Sequence, residues 1–141
     1  VTAVAIDNWS QFGGTSDAFR AAVEEHCPGQ SFGLVEKDCF QVTREDLAPH
    51  IGEVDIYLFD GDHARVAHEM AVTHYLQFMS RNFVMVIDDW SWEDVKGGTR
   101  EGLEKCVVKV HMSIEHMCSE YVTGQEDYWN GVGMLVCERT D

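Results

Sequence analysis

The stretch Val54-Asp55-Ile56-Tyr57-Leu58-Phe59-Asp60-Gly61-Asp62-His63 constrains this chain more than any other. Ile56 to Phe59 is an apolar run rich in β-formers and too short for a helix, which predicts a buried strand. It runs straight into Asp60-Gly61-Asp62-His63. Open α/β sheets keep their ligands outside the carboxyl ends of the strands, and carboxylates just past a buried strand stand in that place. A second segment repeats the design: Phe83 to Ile87 predicts a strand, and Asp88-Asp89 follow at once. Neighbouring strands ending this way would gather four carboxylates, Asp60, Asp62, Asp88 and Asp89. Their repulsion calls for a cation, a shared proton or substrate hydrogen bonds. The plainer reading, that these aspartates cap the following helices, does not easily explain both doublets.

The flanking sequence fits an alternation of strands and helices. Val1 to Ile6 predicts a strand ending at Asp7, and Thr15-Ser16-Asp17 supplies N-cap chemistry for a helix over 18–27, stopped by Pro28-Gly29. Ser31 to Val35 predicts a second strand, followed by Glu36 to Phe40, and Thr43 to Ile51 a short helix or turn. The spacing of Val72, Tyr75, Leu76 and Met79 predicts a helix over 64–79. Thr99 to Val108 predicts another helix behind a Gly97-Gly98 loop, and Val110 to Ile114 and Val132 to Cys137 two antiparallel closing strands. The expected class is α/β, a Rossmann-like and mostly parallel sheet with helices on both faces. Neither glycine pair (Gly13-Gly14, Gly97-Gly98) forms a G-x-G-x-x-G fingerprint.

Composition narrows the function. At 141 residues the chain is expected to form a single domain with a real core. Its formal charge of -15 argues against nucleic acid or an anionic membrane as a partner. The five cysteines, Cys27, Cys39, Cys106, Cys118 and Cys137, form no C-x-x-C, so reduced thiols in a cytoplasmic protein are expected. No apolar stretch of membrane-spanning length occurs. The chain starts at Val1, inside a strand pattern, and reads as a piece of something longer.

The matching pieces A-I-D-N-W (5–9), D-C-F (38–40), Y-L-F-D-G-D-H (57–63), V-I-D-D-W (86–90) and Y-W-N-G (128–131) stand in order along most of the chain. In that order the sequence resembles the class I S-adenosylmethionine (SAM)-dependent methyltransferases, closest to the small-molecule O-methyltransferases with D-G-D and D-D motifs. The resemblance implies that Asp7 accepts hydrogen bonds from the SAM ribose, and that Asp38, Cys39 and Phe40 line the adenine side. It implies a metal triad of Asp60, Asp88 and Asp89, with Asp60 also at the cofactor and Mg²⁺ as the ion. Asp62 is the implied general base. His63 is a second candidate on its own chemistry, since imidazole titrates near neutral pH. Trp90, Trp92, Tyr128 and Trp129 are candidates for a substrate-pocket wall, and His68 and His74, six apart, for surface or packing positions. The family's first strand and glycine-rich loop have no counterpart here, which points to a truncated fragment.

The expected activity is methyl transfer from SAM to a hydroxyl of a small molecule, a sugar or natural-product intermediate, with homo-oligomer formation left open. Two rivals stand beside it. D-x-D after a strand also suits a metal-dependent glycosyltransferase, and the absent glycine loop suits a non-catalytic remnant of the fold.

Overall fold

The computed structural model describes residues 2–11, 13–117 and 130–140. The chain divides into two compact units, Val1–Gly52 and Glu53–Asp141.

In the first unit, β1 (Ala3–Ile6) and β2 (Phe32–Val35) pair in parallel, from Ala3 opposite Phe32 to Ile6 opposite Val35. The crossover is α1 (Ser16–His26). Thr15 Oγ1 caps it by accepting from the Ala18 N–H at 3.2 Å, and Asp17 places a charge of the stabilising sign in its first turn. Phe19 of α1 meets the Phe32 ring edge-on at 5.7 Å. Gly33 is fixed by its neighbour: a Cβ there would lie 2.4 Å from the His50 ring. A 3₁₀ turn (Cys39–Gln41) and the one-turn helix α2 (Arg44–Leu47) follow, the latter held by a Thr43–Asp46 capping box.

The second unit is a four-stranded sheet of order β3-β4-β6-β5, with β3 at Val54–Phe59, β4 at Met79–Asp88, β5 at Lys109–His116 and β6 at Val132–Glu138. β3 and β4 are parallel, while β6 runs antiparallel to both β4 and β5. The α3 crossover (Arg65–Tyr75) ends in a 3₁₀ turn, Leu76–Phe78, and β4 begins four residues earlier than the apolar run suggests. Together the units give the expected α/β, Rossmann-like class, with parallel pairs and antiparallel closing strands.

Strand alternation sorts the second sheet into two faces. Tyr57, Phe59, Phe83, Met85, Ile87, Leu135 and Cys137 are buried, with Tyr57 stacked on Tyr75 of α3 at 4.8 Å. Each such side chain, once buried, contributes about 1.5–3 kcal/mol. The opposite face carries two rows across all four strands: Ile56, Val84, Val136 and Met112, then Leu58, Val86, Met134 and Ile114. Ile56 and Leu58 are 69% and 64% exposed there.

The glycine pair corrects the expectation of a loop. α4 spans Glu93–Lys105 and contains Gly97 and Gly98 in its middle. A Cβ on Gly98 would lie 2.1 Å from the Arg65 carbonyl oxygen, and one on Gly102 would lie 2.7 Å from Val72. The glycines thus let α4 lie directly against α3, and that packing outweighs their poor helix propensity. No helix among the described residues is long and apolar enough to cross a membrane.

Candidate functional site

In the first unit the parallel strands deliver Asp7 and Asp38 to one edge. Asp7 follows β1 directly, its N–H donating to the Val35 carbonyl at 3.2 Å. Its Oδ1 accepts from the Trp9 N–H at 2.6 Å, in a turn that holds Trp9 at φ 55°. Asp38 Oδ1 accepts from the Phe40 N–H at 2.8 Å. Burial, then the Asp38 charge and more weakly that of Asp7, pushes the Cys39 thiol above its ordinary pKa. Asp7, Asp38 and Cys39 therefore share one electrostatic neighbourhood.

In the second unit the carboxyl ends of β3 and β4 bring the other candidates together. Ligand atoms of Asp60, His63 and Asp89 all lie within 4.8 Å of one another. His63 Nε2 sits 2.7 Å from Asp89 Oδ2, and its ring packs edge-on against the exposed Trp92 at 4.7 Å. Asp89 is buried, in the left-handed region at φ 54°. The Asn130 side-chain amide donates to its Oδ1 at 2.7 Å. Asp60 has a pKa raised by burial first, then by the charges of Asp88 and Asp89. Bringing carboxylates together makes that ionisation unfavourable, so the site favours a cation or a proton among them.

Asp88 takes a different side. It precedes the turn at Asp89 and belongs to the exposed face, where Leu58, Asp60, Val86, Asp88 and Val132 line a cavity of about 160 Å³. Asp60 is common to the two groupings. Asp62 is exposed and its Oδ1 accepts from the Ala64 N–H at 2.8 Å, which turns the chain into α3.

The aromatic candidates separate. Trp90 is fully buried, against Gly133, where a Cβ would lie 2.5 Å from the indole, so it is a core residue and not a pocket wall. Among the described residues Trp92 stands beside the site, and Tyr128 and Trp129 lie outside the described residues.

Two residues gain importance that the sequence did not assign. Asn130 reaches Asp89 because the chain entering β6 bonds the β4 exit: the Trp90 N–H donates to the Gly131 carbonyl at 3.2 Å and the Ser91 N–H to that of Asn130 at 2.7 Å. The Y-W-N-G motif was its only signal. His68, read as a surface or packing position, is 1% exposed on α3, with neither ring nitrogen hydrogen-bonded. Its ring meets Phe59 edge-on at 5.0 Å. Burial lowers its pKa to about 4, with His63, Asp89 and Asp62 as further influences.

No protein-family model and no curated protein matches the sequence. Solved structures do share its fold. A Streptococcus mutans protein provisionally assigned as a SAM-dependent methyltransferase aligns with 97% of this chain at 14% identity and TM-score 0.58, over 44% of its own length. CalS11, a TDP-rhamnose 3'-O-methyltransferase of calicheamicin biosynthesis, aligns with 98% at 13% identity and TM-score 0.56, over 58% of its length. The N-methyltransferase NodS of Bradyrhizobium japonicum aligns with 99% at 8% identity and TM-score 0.58, over 86% of its length. The chain thus has a methyltransferase fold and spans about half the length of the first two proteins.

Proposed function

We propose that this chain takes part in SAM-dependent methyl transfer to a hydroxyl of a small molecule, sugar or natural product in type, with a divalent cation assisting. The observation that carries the reading is the convergence of Asp60, His63 and Asp89 at the carboxyl ends of parallel β3 and β4, on a fold shared with methyltransferases. Asp7 is the acceptor for the ribose hydroxyls, and Asp38, Cys39 and Phe40 form the adenine side. Both aspartates keep an oxygen beyond the one used in their local turns.

In the transfer an O–CH₃ bond forms as the S–CH₃ bond of SAM breaks, and the hydroxyl proton must leave. Asp62 is the proposed base, with His63 as the second candidate; His63 Nε2 already faces Asp89, which favours Asp62. The donor set fits a cation: Asp60, Asp89 and His63 would hold it. Bound there, it would orient the substrate hydroxyl and lower its pKa. The glycosyltransferase alternative needs Asp60 and Asp62 to grip one ion, but Asp62 turns into the α3 entry and stays outside the cluster. The proposed partner is the small-molecule substrate, and the charge of -15 disfavours nucleic acid and anionic membranes.

Calorimetric titration of SAM, followed by transfer of labelled methyl to hydroxylated and amine acceptors, tests the proposal. It should use this chain and a longer form restoring any preceding sequence. Micromolar SAM binding, with methyl incorporated into hydroxyl acceptors, is the expected result. Asp62→Ala should then slow turnover by about 10²–10⁴-fold without changing SAM affinity. Absence of SAM binding in both forms would overturn the reading.

A further inference from the structure

The cation implied by the family resemblance is Mg²⁺ on three aspartates, and the donor set in this protein differs from that in kind. Asp88 lines the cavity on the exposed face, while His63 stands with Asp60 and Asp89. Mg²⁺ takes hard oxygen ligands in near-ideal octahedra, whereas imidazole nitrogen suits the first-row transition ions.

We propose that Asp60, His63 and Asp89 form a three-ligand site, with open positions for substrate, for a first-row transition-metal dication of the Mn²⁺-to-Zn²⁺ series and not for Mg²⁺. The inference deepens the methyl-transfer reading, on which it rests only for what the ion does. The geometry is of the right scale. Two ligands at about 2.1 Å from an ion and at right angles to each other lie roughly 3 Å apart, and opposite ligands roughly 4.2 Å. The cluster spans up to 4.8 Å, with its His63–Asp89 pair at 2.7 Å, so a single ion can touch all three after small adjustments. Both nearer ligands are steadied from outside the cluster, Asp89 by Asn130 and His63 by Trp92.

A second observation stands beside the cluster. His68 is buried with both ring nitrogens unpartnered and within electrostatic reach of His63, Asp89 and Asp62. A buried imidazole is seldom left so, because each orphaned nitrogen forfeits its hydrogen bond to water. An ion with its bound waters would bring hydrogen-bonding groups into this neighbourhood. His68 is not counted among the ligands.

The test is direct titration of Mg²⁺, Mn²⁺, Co²⁺ and Zn²⁺ into the whole chain by calorimetry. Pulsed EPR of the Mn²⁺ form reads ligand nitrogen directly. The expected affinity order is Zn²⁺ and Co²⁺ above Mn²⁺, with Mg²⁺ weakest. The Mn²⁺ echo should carry ¹⁴N modulation that vanishes in His63→Gln, with binding at least about tenfold weaker. Mg²⁺ binding as tightly as Co²⁺, or an undiminished ¹⁴N signal in His63→Gln (an adventitious ion on other histidines), would overturn the proposal. Should His63→Gln fail to fold by circular dichroism, the affinity order and the ¹⁴N signal of the unmodified chain decide alone. SAM titration is read separately: metal binding without SAM binding retains this site and removes the methyl-transfer reading, and the reverse removes only this site.

Discussion

Asp89 accepts from Asn130 on one oxygen and meets His63 with the other, from a backbone turned into the left-handed region just past β4. Asn130→Ala leaves the carboxylate with one support fewer. Affinity for the proposed cation is expected to fall about 10–100-fold while the fold persists, as titration and circular dichroism would read. His68 sets a pH dependence of its own. Its folded pKa, about 4, lies below the unfolded value near 6.5, so the unfolded chain binds the proton first. The contribution of neutral His68 is therefore fully present above pH 6.5 and is lost as pH falls towards 4, by about 3 kcal/mol at most. Urea midpoints of the native chain should drop over that window, and those of His68→Leu should drop less. The aspartate doublets and His63 were legible because strand ends can be read locally. Asn130 was not, and His68 was legible only as a surface or packing position, because each acquires its meaning from a partner far along the chain: Asp89 for one, and the α3–α4 contact for the other.

At the scale of elements, strands and crossovers could be read from short apolar runs and caps, whereas α4 could not. Gly97-Gly98 carries the local signature of a loop, and only the close approach of α3 explains a helix there. That explanation reverses the usual sign of a substitution. Gly98→Ala would gain about 1 kcal/mol of helix propensity, yet its methyl would meet the Arg65 carbonyl at 2.1 Å. Overpacking of this kind costs about 1–3 kcal/mol, so the net effect should be a lower denaturation midpoint. Gly52, with nothing within 4 Å of a built Cβ, is the control whose alanine variant should be nearly neutral.

At the scale of the whole molecule, a charge of -15 repels itself, and salt should relieve that. Raising NaCl from low concentration is expected to stabilise the chain by about 1 kcal/mol, or about 3 °C in Tm by calorimetry. The apolar rows across the second sheet are the other global feature. Contiguous exposed surface of this kind marks a binding face or an aggregation liability. The chain should bind an apolar dye such as ANS, and Leu58→Lys should weaken that signal with little change in stability.

The sheet order β3-β4-β6-β5 also has a consequence for biosynthesis. β5 leaves the ribosome before β6, yet among the described residues β6 is its only neighbour in the sheet. Until Val132–Glu138 emerges and inserts between β4 and β5, the nascent chain holds β5 as a solitary strand and Asp89 without Asn130. β6 thus joins the sheet and brings Asn130 to Asp89 in one event. A stalled or prematurely terminated product would carry the aspartates without the Asn130 bond that supports Asp89.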